Sequence, residues 1–182
     1  MNLKEKTLEK EYIFKGRIIN VRRDDVELPD GKRSIREVVE HKGGVCVLPL
    51  TQSGEVIMVR QYRYPYSEEL LEIPAGKRDK ECEEPLECGK RELKEETGAT
   101  AGKYTFLGEL YPSPGYTDEV IYIYLAEDLS FGESRPDEDE FLETQRIPFQ
   151  KALKMALDGR LKDAKTQCAI MKTALLKGII SG

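Results

Sequence analysis

Residues 76–99 read GKRDKECEEPLECGKRELKEETGA, and this stretch sets the interpretation of the whole chain. Pro85 suits the first turn of a helix, because its missing N–H would have no partner there, and Gly98 suits the end. The spacing therefore predicts a helix between these two residues. Its weakly apolar stripe, which is predicted to face a core, consists of Leu86, Gly89 or Lys90, Leu93 and Thr97.

Three carboxylates, Glu92, Glu95 and Glu96, share another face of this predicted helix. Like charges three or four residues apart repel by about 0.2–0.5 kcal/mol per pair, and Arg91 offsets only part of this. One interpretation is a solvated acidic face, the usual meaning of a charge run. The other is a face that binds cations.

The composition is that of one globular domain. The chain has 182 residues, of which 39% are hydrophobic and 35% charged. Its net charge of −5 is spread without a basic block, so we expect no nucleic acid partner. No apolar run approaches the roughly 20 residues that span a bilayer, and the N-terminus lacks a signal-like stretch, so we expect no membrane association and a cytoplasmic location.

The cysteines and the histidine do not form a zinc pattern. Four cysteines include no CxxC pair, and His41 is the only histidine. Any metal should therefore be bound by oxygen. A disulfide between Cys82 and Cys88 is a minor alternative to free thiols, and His41 is interpreted as structural.

Alternating patterns predict strands through the first half, with turns at Asp30-Gly31 and Ser53-Gly54. Further strands follow the acidic helix, and a last helix begins after Asp163 as N-cap. The order predicts an α+β fold, with a mixed sheet between helices. The apolar stripe predicted for the last helix comprises Ala164, Cys168, Met171, Leu175 and Ile179.

The acidic stretch resembles the signature of the Nudix hydrolases. The second part of that signature is matched by Arg91, Glu92, Leu93, Glu95, Glu96, Gly98 and Ala99. Between Gly76 and Glu83 the chain carries one residue more than the signature. Similarity extends along nearly the whole chain and is closest to the ADP-ribose pyrophosphatase branch. The features that carry it are ELPDGK (27–32), RQYR (60–63), LLEIPAGK (70–77), SPGYTDE (113–119), DEDEF (137–141) and DAKT (163–166).

The resemblance implies an α/β/α sandwich with a mixed β-sheet, plus an N-terminal antiparallel β-region used in dimerisation. The implied division is residues 1–42 for that region, which also forms part of the substrate pocket, and 43–182 for the hydrolase domain. A homodimer follows from the family likeness.

The resemblance also implies a metal site for Mg²⁺, with Mn²⁺ as a possible substitute. Glu92 and Glu96 would be the main ligands, Glu95 a ligand or bridge, and the backbone carbonyl of Ala75 a further ligand. Arg91 would orient these groups through a pair with a carboxylate such as Glu83 or Glu95.

A general base is expected on the late acidic loop, where Glu138 and Glu140 are the candidates and Asp139 is a weaker one. Arg63, Arg60 and Arg36 are the predicted contacts for substrate anions. The adenine would stack on Tyr12 or Phe14, with Tyr62 as another candidate. Pro114 and Gly115 would form a rigid turn beside the terminal ribose, and a proline sixteen residues past Gly98 accompanies ADP-ribose preference in this branch.

The function hypothesis is metal-dependent hydrolysis of ADP-ribose to AMP and ribose 5-phosphate. The first alternative is a pyrophosphatase for another nucleotide sugar, an ADP- or GDP-hexose. The second alternative is a non-catalytic module that senses nucleotide sugars, which usually loses one or more of the signature carboxylates.

Overall fold

A computed structural model describes residues 2–78, 83–136 and 140–180. The chain divides into two compact units, of which one comprises the residues up to Gly43 together with Tyr111–Val120. The other comprises Gly44–Leu110 and the chain from Ile121 onward. In this grouping the later loop Tyr111–Val120 belongs with the N-terminal residues. Val39 explains why: its N–H donates to Tyr116 O at 2.7 Å, and its carbonyl accepts from the Asp118 N–H at 3.2 Å.

The first unit is an antiparallel sheet of three strands, in the order β1-β2-β3. These are β1 (Lys6–Lys15), β2 (Ile19–Glu27) and β3 (Arg33–His41). The predicted turn joins β2 to β3, where Gly31 has a φ of +83° that suits glycine. β1 is longer than the predicted strand and is exposed along its whole length. Its exposed apolar side chains are Leu8, Tyr12, Ile13 and Phe14.

The second unit contains two sheets and three α-helices within the described ranges. Its strands are β4 (Gly44–Pro49), β5 (Glu55–Arg63), β6 (Glu68–Glu72), β7 (Ala75–Lys77), β8 (Ala99–Leu110), β9 (Ile121–Phe131) and β10 (Leu142–Pro148). Its helices are α1 (Pro85–Thr97), α2 (Phe149–Leu157) and α3 (Ala164–Leu176). The four-stranded sheet β7-β4-β9-β8 is mixed, since β4 runs parallel to β9, and β10-β5-β6 is antiparallel. The predicted α+β class with a mixed sheet is therefore correct.

The core forms on both faces of β4, which is buried along its whole length. On one face Cys46 and Leu48 pack in a cluster that includes residues of α2 and α3. On the other face Val47 packs in a cluster with Leu93 of α1. None of the helices in the described part of the chain is long and apolar enough to cross a membrane.

The predicted apolar stripe of α3 is wrong at most of its positions, although Cys168 packs against the core. Ala164 is exposed, and Leu175 and Ile179 are 48% and 38% exposed. The buried face instead consists of Lys165, Thr166, Ala169, Ile170, Thr173 and Ala174. Hydrophobic patterning does not predict that this face is buried, because half of its residues are polar. The N-cap was predicted correctly, since Asp163 Oδ2 accepts from the Thr166 N–H at 2.9 Å.

Candidate active site

Helix α1 lies close to the mixed sheet because of one glycine. A Cβ at Gly89 would stand 2.9 Å from Val45 Cγ1 and 3.0 Å from Val47 Cγ2, so a larger residue would push the helix away from β4. The predicted end is also observed, because Gly98 adopts the left-handed conformation and donates its N–H to Lys94 O at 2.9 Å. The two glycines thus fix where the acidic face of the helix points.

That face is directed at β7. A Cβ at Gly76 would lie 1.9 Å from Glu92 Cδ, so any larger residue there would displace the Glu92 side chain. The Glu92 carboxylate therefore lies directly against the backbone of β7, in the space that the missing side chain of Gly76 leaves.

Two of the three carboxylates are buried, so a solvated acidic face is the wrong interpretation for them. Glu92 is 8% exposed and Glu96 is 3% exposed. The pKa of Glu92 is raised to about 7 and that of Glu96 to about 9. Burial is the largest cause of both increases, and the negative charge of Glu140 adds to them. Glu95 differs, because its side chain is 35% exposed.

Arg91 joins the carboxylates of this region. Its Nε and Nη2 donate to the two oxygens of Glu83 at 3.1 and 3.3 Å. Its Nη1 lies 2.7 Å from Glu92 Oε1 and donates to Glu95 Oε2 at 2.9 Å. These contacts, led by the hydrogen bond to Glu83, raise the pKa of the guanidinium. Arg91 therefore holds three carboxylates in defined positions despite their like charge.

The register of β7 determines where the Ala75 backbone points. Ala75 stands opposite Cys46, while the neighbouring pair is hydrogen-bonded, with the Val47 N–H donating to Pro74 O at 2.9 Å. Residues of an antiparallel pair alternate between bonded and non-bonded positions, so the Ala75 N–H and carbonyl both point away from β4. The N–H donates to Glu96, and the carbonyl is directed to the same side.

A second cluster of charges lies beside these carboxylates. Arg63 Nε and Nη2 each donate to Glu72 at 2.6 Å, and Lys165 Nζ donates to Glu72 and to Asp163. Burial alone would raise the pKa of Glu72, but Arg63 and Lys165 lower it to about 2. The charges of Arg63 and Lys165 also act on Glu96, so the two clusters lie close enough to interact.

Sequence reasoning assigned Arg63 to the site but gave no role to Glu72, Lys165 or Thr166. The last two stand in DAKT, a segment that was recognised by likeness alone. A lysine followed by a threonine does not by itself indicate a functional site. Only the folded structure shows which face of α3 these two residues occupy.

The remaining predicted residues of this unit lie as follows. Arg60 is paired with Glu143 and with Glu69, at 3.1 Å for the latter, and it is more exposed than Arg63. Glu140 lies near enough to Glu92 and Glu96 for its charge to act on both. The other candidate base, Glu138, is outside the described residues, as is Asp139.

The residues predicted to bind substrate from the first unit form contacts within that unit. Arg36 pairs with Glu5, and the Tyr12 hydroxyl donates to Glu40 at 3.3 Å. The other predicted substrate contacts of this unit are exposed, namely Phe14, Pro114 and Gly115. His41 accepts from the Gly43 N–H at 3.1 Å through Nδ1, which lies 3.3 Å from Glu119, as a structural histidine would.

The donor set fits a hard divalent cation. Among the described residues no three His, Cys, Asp or Glu side chains already converge as a ligand set. However, Glu96 Oε2 is buried and has no hydrogen-bond partner in the described ranges. Carboxylate and carbonyl oxygens are the ligands that Mg²⁺ prefers, and the positive charge of a cation would offset the burial and the like charges that keep the pKa of Glu92 and Glu96 high.

Comparison with known proteins places the chain in a family. Residues 5–39 match the nucleoside diphosphate sugar hydrolase N-terminal domain, and residues 40–167 match the NUDIX domain. The chain is 46% identical to an ADP-ribose pyrophosphatase of Bacillus subtilis (strain 168), over 98% of this chain and 97% of that protein. It is 40% identical to a methanol dehydrogenase activator of Bacillus methanolicus, over 96% and 95% of the two chains.

Two further proteins of lower identity support the same family. A GDP-mannose pyrophosphatase of Yersinia pestis (strain Pestoides F) is 38% identical, over 74% of this chain and 72% of its own. A crystal structure of an ADP compounds hydrolase superposes with a TM-score of 0.85 at 27% identity, covering 98% of both chains. The match of the NUDIX domain to residues 40–167 includes the whole acidic helix and both clusters of charges. This chain is therefore a member of the Nudix hydrolase family, whose enzymes generally use divalent metal ions.

Proposed function

We propose that this enzyme hydrolyses the pyrophosphate bond of ADP-ribose and releases AMP and ribose 5-phosphate. The observation that carries the proposal is the convergence of two buried carboxylates, Glu92 and Glu96, with the outward-facing backbone of Ala75. The likeness to an ADP-ribose pyrophosphatase over nearly the whole of both chains supports the substrate. Pro114, at the position associated with that substrate, agrees with it.

Mg²⁺, or Mn²⁺ in its place, is the proposed cofactor. Glu92, Glu96 and the Ala75 carbonyl would hold it, with Glu95 as a further ligand or bridge. A divalent ion neutralises pyrophosphate oxygens and lowers the pKa of bound water. The contribution of Arg91 is to fix the rotamers of the carboxylates that it contacts, so that their oxygens are in place before substrate arrives.

The proposed general base is a carboxylate of the late loop. A base there would take one proton from the attacking water as the new phosphorus–oxygen bond forms and the bridging phosphorus–oxygen bond breaks, with the bridging oxygen leaving on the other phosphate. Glu140 is favoured because its charge reaches Glu92 and Glu96, whereas Glu138 rests on the sequence alone. Comparing E140Q with E138Q tests the choice, since only loss of the true base should lower kcat strongly while leaving metal binding intact.

Substrate contacts come from basic and aromatic side chains. Arg63 is 37% exposed, so its guanidinium remains accessible to an anionic oxygen although Glu72 accepts two of its N–H groups. Arg60, and in the first unit Arg36, are the other proposed contacts for anionic oxygens. The proposed contacts for adenine and ribose are Tyr12, Phe14, Pro114 and Gly115.

A homodimer and a cytoplasmic location are also part of the proposal. The dimer is supported by β1, because a strand exposed along its whole length with several apolar side chains is unusual in a monomer. Association of two copies would bury this surface. Sedimentation of the purified protein measures the assembly directly.

A nucleotide hexose is the second candidate substrate. The GDP-mannose pyrophosphatase, at 38% identity over 144 residues, supports it. A sensing module without activity is disfavoured, because Glu92, Glu95 and Glu96 are all present.

The deciding experiment is a coupled phosphatase assay with Mg²⁺ over ADP-ribose, ADP-glucose, GDP-mannose, diadenosine polyphosphates and NADH. We expect the highest kcat/KM for ADP-ribose. Preference for a hexose substrate would replace the proposed substrate and keep the chemistry. Absence of turnover with any divalent metal would overturn the proposed function.

A further inference from the structure

We propose that Thr166, at the start of α3, is a positioning residue for the metal site: it holds the backbone of residues 72–75 so that the N–H and carbonyl of Ala75 face away from β4, on the side where the N–H meets Glu96. This inference rests on the proposed function, because it assigns a role in the same metal site. Within the described ranges, the Thr166 side chain has no hydrogen bond to Glu92, Glu95 or Glu96, so its proposed action is through the backbone of Ile73.

The contact that carries the inference is a buried hydrogen bond between distant parts of the chain. Thr166 is fully buried, and its Oγ1 accepts from the Ile73 N–H at 2.9 Å. Ile73 is also fully buried and lies between β6 and β7, where the two sheets are connected, outside the strands found in the described part of the chain. The hydroxyl therefore takes the place of a sheet hydrogen bond at this position.

Thr166 is itself fixed in place. Its backbone N–H donates to Asp163 Oδ2, which caps α3, and the adjacent Lys165 donates to both Asp163 and Glu72. The first turn of α3 thus holds Glu72 through its side chain and Ile73 through its backbone. Thr166 therefore fixes the connection between β6 and β7 relative to the capped end of α3.

The segment leads directly to the metal site. Pro74, with its fixed φ, follows Ile73 and accepts from the Val47 N–H, and the next residue is Ala75, whose N–H donates to Glu96. Each residue from 72 to 75 therefore has a partner that limits its rotation. Without the Thr166 hydroxyl, the buried Ile73 N–H would turn toward another acceptor and carry the Ala75 carbonyl with it.

The test compares three substitutions at two buried threonines of α3. T166V keeps the shape and removes the acceptor, while T166S keeps the hydroxyl. T173V is the matched control, because Thr173 is equally buried on the same helix, and its Oγ1 has no hydrogen-bond partner among the described residues. The readout is the Kd for Mn²⁺ from electron paramagnetic resonance, measured on the full-length protein, alongside the unfolding midpoint.

We expect T166V to weaken Mn²⁺ binding by about tenfold, the lower end of the usual effect of a residue that orients ligands. T166S and T173V should bind Mn²⁺ as the wild type does. Wild-type affinity in folded T166V would overturn the inference. Equal weakening in T173V would also overturn it, because the effect would then reflect packing of the helix.

A measurement on the wild type covers the case in which T166V does not fold. Mn²⁺ or Mg²⁺ should slow amide hydrogen exchange at residues 72–75 and 165–167 together, relative to 172–174. Slowing at 72–75 alone would overturn the inference. The variant E96Q distinguishes failure of this inference from failure of the proposed function. If E96Q binds Mn²⁺ as tightly as the wild type, the proposed metal site is wrong. If Mn²⁺ binding is weakened in E96Q and unchanged in T166V, the role of Thr166 is wrong.

Discussion

Replacing Glu96 with glutamine should make the metal-free protein more stable while it removes metal binding and activity. Glu96 is 3% exposed, and burial together with the charges of Glu92 and Glu140 raises its pKa to about 9. At neutral pH the folded protein therefore keeps a proton on this carboxyl that the unfolded chain releases. Glutamine is neutral in both states and avoids this difference.

The size of the effect follows from the pKa. An ordinary glutamate has a pKa near 4.5, so at pH 7 the two states differ over about 2.5 pH units, at about 1.4 kcal/mol per unit. The upper bound is thus about 3 kcal/mol of unfolding free energy. An imperfectly placed amide group in E96Q reduces the gain, so we expect about 1–3 kcal/mol, at about 2–4 °C of Tm per kcal/mol.

The pH dependence has a definite sign. A carboxyl whose pKa is raised on folding binds more protons in the folded state between pH 4.5 and about 9, so wild-type stability falls as pH rises through this range. The advantage of E96Q should therefore shrink toward zero at pH 4.5 and increase toward pH 9.

The assay is thermal and denaturant unfolding after removal of metal with EDTA, repeated with Mg²⁺. Mg²⁺ should raise the Tm of the wild type and leave that of E96Q unchanged. E87Q is the matched control, because Glu87 lies on the same helix with a 62% exposed side chain, and its change should stay within about 0.5 kcal/mol. A lower stability of metal-free E96Q, or a difference from wild type that does not vary between pH 5 and 9, would refute the reasoning.

Three further changes test other parts of the site. G76A should weaken Mn²⁺ binding and lower activity, because a methyl group there would lie 1.9 Å from Glu92 Cδ and displace that side chain; wild-type Mn²⁺ affinity in a folded G76A protein would contradict this prediction. E72Q should lose about 3 kcal/mol at pH 7 in urea unfolding, since the pKa of Glu72 is lowered to about 2 from 4.5; this stability is present above pH 4.5 and lost toward pH 2, where the two proteins should converge. E140Q should lower kcat with little change in Mn²⁺ affinity, and an unaltered kcat would move the role of base to Glu138.

The sequence was sufficient for the acidic helix because its boundaries are determined locally. Pro85 and Gly98 act through the conformations that they favour or exclude, and both were found where predicted. The observed Asp163 cap is equally local. The fold class followed because strand patterns and the family signature agree along the chain.

The buried face of α3 was not predictable in the same way. Tertiary contacts determine it: Lys165 is buried because Glu72 and Asp163 accept its hydrogen bonds, and Thr166 is buried because Ile73 needs an acceptor. Each partner except Asp163 lies more than 90 residues away in the chain. Hydrophobic periodicity cannot detect such pairs, because it treats a lysine as exposed even when its ammonium group is buried and hydrogen-bonded.

Whether carboxylates repel or are solvated depends on how closely the helix approaches the sheet. Gly89 lets α1 pack against β4, and Gly76 lets Glu92 rest on β7, so the absence of two side chains forces the carboxylates out of water. Burial, together with the like charges, lowers the stability of the metal-free protein, and a cation at the proposed site would offset both effects. The same burial that destabilises the fold would therefore favour metal binding at that site. Alanine at either glycine would keep all the signature carboxylates and weaken this coupling.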